Sequence, residues 1–346
     1  MEVDTLESEQ VTARPLSTDA LYWARVLKNY REPNHGRSIY EIGTTVIPFL
    51  GFWALSWVAI HFGYWEVSPP LLILTAGFLV RLFLIQHDCG HDAFFRRRSV
   101  NDWIGRIIGV LTLTPYDSWR RTHAQHHAGT GNLDRRGIGD ITTLTVREFR
   151  ALSRWRRFLY RTYRHPIVMF GIGPAYLFFL RHRLPGDLVR GNRQAWISSM
   201  ASNLASSVVA TALIWLIGIG PFLLIYLPIT FIAASIGVWL FYVQHQFEQT
   251  FWEQDGKWNL QVAALHGSSY YDLPRFLRWF TASIGIHHVH HLCSRIPFYR
   301  LQHVLHDHPS LGGTNRLSLV QSLGCVRLAL WDESQQRLVT FRGALS

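Results

Sequence analysis

Apolar residues gather in four long runs, and their spacing sets the expected architecture. Runs at about 42–62, 71–86, 197–217 and 222–243 each hold roughly 20 residues and carry almost no charge. That is the length a helix needs to cross about 30 Å of hydrocarbon. Arg81 is the one charged residue inside them. Short connections join the first pair of runs (63–70) and the second pair (218–221), so the expected fold is an all-α integral membrane protein with four transmembrane helices in two hairpins. Shorter apolar pieces at 104–113 and 167–180 cannot span, and Gly171, Gly173 and Pro174 interrupt the second; both read as interfacial or re-entrant helices. The stretch 258–280 reads as amphipathic helix broken near Asp272-Leu273-Pro274. The chain then divides into an N-terminal segment, 1–40, with an amphipathic piece at 20–27, a membrane domain, 41–305, and a tail, 306–346, with alternating apolar residues.

Charge orients this architecture. The 346 residues carry a formal net charge of +11, yet only Lys28 and Lys257 are lysines, and the arginines form neither a tail nor a block beside a nucleic-acid reader motif. Nucleic acid is therefore excluded as a partner, and a cationic face beside anionic lipid headgroups accounts for the charge. The N-terminal segment holds five basic residues, the region 96–193 holds 19 and the C-terminal region nine, whereas both interhelical turns hold none. By the positive-inside rule the turns face away from the cytoplasm, and both termini and a helical cap face it. Residues 1–10 are acidic, without an apolar run, so neither a signal peptide nor a lipidation signal is expected. Cys89, Cys293 and Cys325 are odd in number and lack C-x-x-C spacing, which points to a reduced compartment.

The candidate chemistry lies in three histidine clusters, His87-Asp88-Cys89-Gly90-His91, His123-Ala124-Gln125-His126-His127 and His287-His288-Val289-His290-His291. On a helix, residues i, i+3 and i+4 share a face, so each cluster is expected to aim its spaced histidines at one point. His87, His91, His123, His126, His127, His287, His290 and His291 fit that rule, and His288 points away, to a supporting or surface role. Eight ligands exceed what one zinc ion takes, so two metals are implied. His245 ends the fourth apolar run at the depth of His87 and is a ninth candidate. His35, His61, His165, His182, His266, His303, His306 and His308 lack matching spacing and read as surface or packing residues. Ligand type alone suits iron, zinc, copper or nickel. Position at a membrane face, within reach of an acyl chain, favours redox-active iron with dioxygen. Asp88, Asp92, Asp140 and Glu248 are candidates to fix the histidine tautomers.

HDCGH, HAQHH and HHVHH, the first following an apolar span, resemble the three histidine boxes of the membrane fatty acid desaturase family. VQHQFE at 243–248, GSSYYDLP at 267–274 and WFTASIGIHHVHHLCSRIPFYRLQ at 279–302 resemble the bacterial and cyanobacterial acyl-lipid desaturases of the delta-12 (omega-6) kind. The resemblance covers about 40–305. It implies a non-heme di-iron enzyme that uses O2 and two electrons to introduce a double bond into an acyl chain, in a bacterial inner membrane. It also implies that the box histidines and His245 hold the irons, with His288 left out. The first box is one residue shorter than in the animal acyl-CoA enzymes, which favours a lipid-linked substrate. No electron-carrier module is visible in the sequence, so the resemblance implies a separate ferredoxin or flavodoxin with its reductase. Two other readings remain open: a hydroxylase or ketolase with the same boxes, acting on an acyl or terpenoid substrate, and a metal transporter or heme protein. The last predicts ionisable residues at mid-span, where only Arg81 stands.

Overall fold

The computed structural model describes residues 16–137, 139–184 and 192–344; the expectation for residues 1–10 lies outside them. In chain order the helices begin with α1 (Leu16–Val26), α2 (His35–His61), α3 (Ser68–Gly90), α4 (Arg98–Leu111) and α5 (Tyr116–Gly129). After β1 (Leu144–Thr145) come α6 (Val146–Ala151), α7 (Arg154–Tyr163), α8 (Gly173–Phe179), α9 (Arg193–Ile217), α10 (Ile219–His245) and α11 (Leu260–His266). Strand β2 (Tyr270–Asp272) precedes α12 (Arg275–Phe280), α13 (His287–Leu292) and α14 (Phe298–Asp307). The chain closes with β3 (Arg316–Ser318), α15 (Leu319–Cys325), β4 (Leu328–Asp332) and β5 (Arg337–Thr340).

The protein is mostly helical, and α2, α3, α9 and α10 are long and apolar enough to cross a membrane. Each is longer than its apolar run because polar residues cap it or continue it. Asn34 accepts a hydrogen bond from the Arg37 N–H at 2.9 Å and starts α2 well before the run at 42–62; Asn192 does the same for α9 through the Ala195 N–H. With no Gly or Pro breaker behind their apolar runs, α3 continues to Gly90 and α10 to His245. Those extra turns carry the first histidines beyond the apolar stretches.

Two small sheets correct the all-α expectation. Strands β1, β4 and β5 form one, with β1 and β4 parallel; β2 and β3 pair in parallel to form the other. The amphipathic helix expected over 258–280 is instead α11, β2 and α12, because Gly267-Ser268-Ser269 break the helical run before the proline does. The three cysteines are free and buried.

A buried ion pair ties two of the long apolar helices to the segment that carries the third histidine cluster. Arg81 on α3 is 2% exposed and Glu41 on α2 is 1% exposed, and the guanidinium donates to the Glu41 carboxylate. It also donates to Thr45 Oγ1 at 3.1 Å and to the Trp279 carbonyl. Its cationic face lies 4.0 Å from the Trp279 ring centroid and 5.2 Å from that of Phe298. The third cluster sits between Trp279 and Phe298 in sequence, so one side chain holds both of its flanks. Removing one partner of such a pair leaves an uncompensated buried charge. Glu41→Gln, which leaves the Arg81 guanidinium buried without a carboxylate, is therefore expected to lower the unfolding free energy by about 3–5 kcal/mol, and adding Arg81→Met should recover most of that loss. Unfolding of the detergent-purified variants checks this; equal losses in the single and double variants would contradict it.

Candidate metal centre

Each histidine cluster rides on a different helix end. His87 lies in the last turn of α3 and His91 caps its C-terminus; His123, His126 and His127 lie on α5; His287, His290 and His291 lie on α13; His245 is the last residue of α10. A short staple at 267–271 aligns α10 with α13. Gly267 offers its carbonyl to His245 Nδ1 at 3.1 Å, and the Ser269 N–H donates to the Gln244 carbonyl at 2.9 Å. The Tyr271 N–H donates to the Gly285 carbonyl at 2.7 Å, and the His287 N–H to the Ser269 carbonyl at 3.1 Å. That is the structural content of the GSSYYDLP string.

The nine histidines converge as two groups. His87, His91, His123, His127 and His290 form the first, and His126, His245, His287 and His291 the second, the candidate donor atoms within each lying no more than 4.8 Å apart. In the first, His123 Nε2 is 3.0 Å from Nε2 of both His87 and His91, and 3.2 Å from that of His127; His290 Nε2 is 3.2 Å from that of His127. In the second, His245 Nε2 is 3.2 Å from His126 Nε2 and 3.0 Å from His287 Nε2, which is itself 3.0 Å from His291 Nε2. A single imidazole nitrogen offers one proton or one lone pair. His123 Nε2 cannot satisfy three ring nitrogens by hydrogen bonding, whereas one cation among them would satisfy all four.

The second and third clusters do not aim at one point, which corrects the sequence expectation. His123 and His127 join the first group and His126 the second; His287 and His291 join the second and His290 the first. Helix geometry explains the division. At about 100° per residue, position i+4 lies about 40° to one side of residue i and i+3 about 60° to the other. Every i, i+4 pair, including His87 and His91, therefore serves one group, and the i+3 residue reaches across to its neighbour. The rings of His127 and His291, one from each group, stack at 4.1 Å and form the shared wall.

The close contacts between rings run through Nε2, so a ring whose Nε2 lone pair faces a cation carries its proton on Nδ1. His126 Nδ1–H donates to Asp140 Oδ1 at 2.5 Å and His87 Nδ1–H to Asp88 Oδ1 at 3.3 Å, while Asp88 Oδ2 accepts from the Phe298 N–H at 2.7 Å. Such partners fix ring orientation and raise ligand basicity. Two of the four expected carboxylates thus touch a cluster histidine. The other two do not: Asp92 pairs with Arg120 at 2.7 Å and Glu248 with Arg337 at 2.7 Å. The Gly267 carbonyl, which serves His245, was not foreseen, since a backbone acceptor has no side-chain signature. His288 is not a surface residue. It is fully buried, contacts the Leu311 carbonyl through Nε2 at 3.0 Å and belongs to neither group; burial pushes its imidazole down to about 4. His303 and His306 are exposed, as expected.

Burial, followed by the neighbouring imidazoles, holds His91, His123, His127, His287, His290 and His291 well below the usual imidazole value. At neutral pH these rings are uncharged and their lone pairs are free for a cation. Trp119 stacks on His123 at 4.7 Å, and a Cβ on Gly90 would come within 2.8 Å of its indole, so the glycine of HDCGH gives that indole room.

Comparison with known proteins bears on this arrangement. A family model for fatty acid desaturase matches residues 64–320, a stretch containing all nine histidines. A fatty acid desaturase of Bacillus subtilis is 41% identical over 313 residues, which cover 90% of this chain and 88% of that protein. An sn-1 oleoyl-lipid 12-desaturase of Synechocystis sp. is 28% identical over 268 residues, covering 75% of this chain and 73% of that protein. An sn-1 acyl-lipid omega-3 desaturase (ferredoxin) of the same organism is 29% identical over 281 residues, covering 78% and 74%.

The approach to the third cluster generates a test. A Cβ on Gly285 would sit 2.3 Å from the Tyr271 carbonyl oxygen, a backbone atom that cannot rotate away. Gly285→Ala is expected to cost about 1–3 kcal/mol, the usual range for an overpacked core, and to displace α13. Chemical unfolding of the purified variant measures the cost; wild-type stability would show that the approach is not constrained.

Proposed function

The chain belongs to the fatty acid desaturase family, whose members are O2-dependent oxidoreductases, and we propose that it places a double bond in an acyl chain of a membrane lipid, at the delta-12 (omega-6) position. The observation that carries this reading is the pair of all-imidazole groups at the ends of α3 and α10, two helices apolar enough to cross a membrane. An acyl chain lying between such helices would meet the site directly. The 12-desaturase relative supports the position, and the omega-3 relative, at similar identity, makes the position the quantity to measure.

The donor sets fit two iron ions. The first group offers five imidazole nitrogens, where tetrahedral zinc takes four. His87, His91, His123, His127 and His290 would hold one ion, and His126, His245, His287 and His291 the other. Iron there supplies the dioxygen activation that breaking an unreactive C–H bond requires. The chain's own residues do the positioning: Asp88, Asp140 and the Gly267 carbonyl hold Nδ1–H and aim Nε2 inward. The apolar walls of α3 and α10 orient the substrate chain and keep water from it.

In this reading α2–α3 and α9–α10 are two transmembrane hairpins in a bacterial inner membrane, and the remaining helices form a cytoplasmic cap. Residues 41–305 are the membrane domain, between a cytoplasmic N-terminal segment (1–40) and tail (306–346). Electrons come from a separate carrier, a ferredoxin or flavodoxin with its reductase. The ferredoxin-linked name of one relative supports that choice.

Expression in a bacterium lacking polyunsaturated lipids, followed by mass spectrometry of its fatty acids, is expected to reveal a new double bond at the delta-12 position. A hydroxylated or ketone product would overturn the reading in favour of the other chemistry of these boxes. Elemental analysis of iron-loaded protein is expected to give two ions per chain in the wild type and in His288→Ala, and one in His126→Ala with loss of the product. Full activity of His126→Ala would remove that residue from the site.

A further inference from the structure

We propose that a cavity where α2 meets α14 binds the phosphate of a glycerophospholipid, and so selects the lipid whose acyl chain reaches the metal centre; this rests on the acyl-lipid reading above. The cavity has a volume of about 510 Å3 and is lined by Tyr30, Asn34, Arg37, Tyr299, Arg300 and His303. Two guanidiniums, an imidazole and two phenols suit an anion with several acceptor oxygens, and guanidinium matches phosphate with paired N–H donors.

The charge there is largely uncommitted. Arg300 has no carboxylate partner among the described residues and His303 is exposed, while the Asp307 carboxylate, which accepts from the Tyr30 hydroxyl at 2.8 Å, sets one negative charge beside this wall. Arg37 pairs with Glu41 at 2.7 Å, but Glu41 is also held by Arg81, so one carboxylate is shared between two arginines. The cavity is thus left with net positive charge.

Its position suits a lipid better than a soluble anion. Asn34 and Arg37 begin α2, and the exposed Tyr40 and Ile47 lie further along the same helix, about 60–80° round from Arg37. A ligand with its phosphate among the arginines therefore finds an apolar helix surface for its chains. One wall of the cavity, Tyr299, Arg300 and His303, belongs to the segment that follows the third histidine cluster. The Tyr299 hydroxyl lies 3.2 Å from Ser38 Oγ, which donates to the Phe94 carbonyl at 2.7 Å, just beyond His91. Phe298, next to Tyr299, donates to the Asp88 carboxylate that touches His87. Hydrogen bonds thus run from the cavity wall to residues that adjoin the first histidine group.

The test uses the full-length protein in detergent, with native mass spectrometry as the readout. The probes are dioleoyl phosphatidylglycerol, a galactosyl diacylglycerol with the same acyl chains, oleoyl-coenzyme A and inorganic phosphate. The wild type is expected to retain the phospholipid at least about tenfold better than the galactolipid, with millimolar inorganic phosphate failing to displace it. Arg300→Ala and, separately, the exposed His303→Glu are expected to erase that preference while leaving galactolipid binding unchanged. Equal retention of the two lipids, a preference that survives both substitutions, displacement by inorganic phosphate, or tighter retention of oleoyl-coenzyme A would each overturn the proposal. Binding needs no turnover, so a headgroup preference in a chain that makes no double bond would leave the cavity assigned and sink the desaturase reading alone.

Discussion

Convergence of ring nitrogens is the constraint on which the rest of this structure depends. Nine imidazoles from four helices bring their Nε2 atoms together in two groups. Taken out of water and left without a cation, such lone pairs repel one another and lack donors, and a buried polar group without a partner costs free energy. The fold opposes that repulsion with groups outside the clusters. Asp88, Asp140 and the Gly267 carbonyl fix three rings from behind, and the staple at 267–271 joins α10 to α13.

The long apolar helices and the shorter polar ones build the site together. Helices α3 and α10 run past their apolar stretches to deliver His87 and His245, and α5 and α13 close the site with a divided set each. The buried Arg81–Glu41 pair belongs to the same design. An ion pair is expensive to bury between apolar helices, and here its guanidinium reaches the Trp279 carbonyl and the ring of Phe298, on either side of the third cluster. The histidine site is therefore braced by a buried charge from the long apolar helices and by a short strand elsewhere.

Much of the site was legible because helical spacing is written directly in the sequence. H-x-x-x-H and H-x-x-H-H give the candidate ligands, and the run-on from the fourth apolar stretch gives His245. The division between two centres was not foreseen, since i+3 and i+4 count as one face until the roughly 100° between them is considered. Asp88 and Asp140 were found by nearness in sequence, but so were Asp92 and Glu248, whose partners are arginines. Chain proximity cannot tell a carboxylate that faces a ring from one that faces a cation. Strands of three residues such as β2 and β3 escaped notice because their pairing spans more than forty residues and leaves no period to read. The four long helices needed only length and hydropathy, though their ends depended on Asn34 and Asn192 caps rather than on the apolar pattern.

The central claim is that helical phase sorts nine histidines between two metals. An anomalous-scattering map of iron-loaded protein at the iron edge tests it most directly. Two peaks are expected, one bounded by Nε2 of His87, His91, His123, His127 and His290, the other by Nε2 of His126, His245, His287 and His291. A single peak, or two peaks with an i, i+4 pair divided between them, would contradict it.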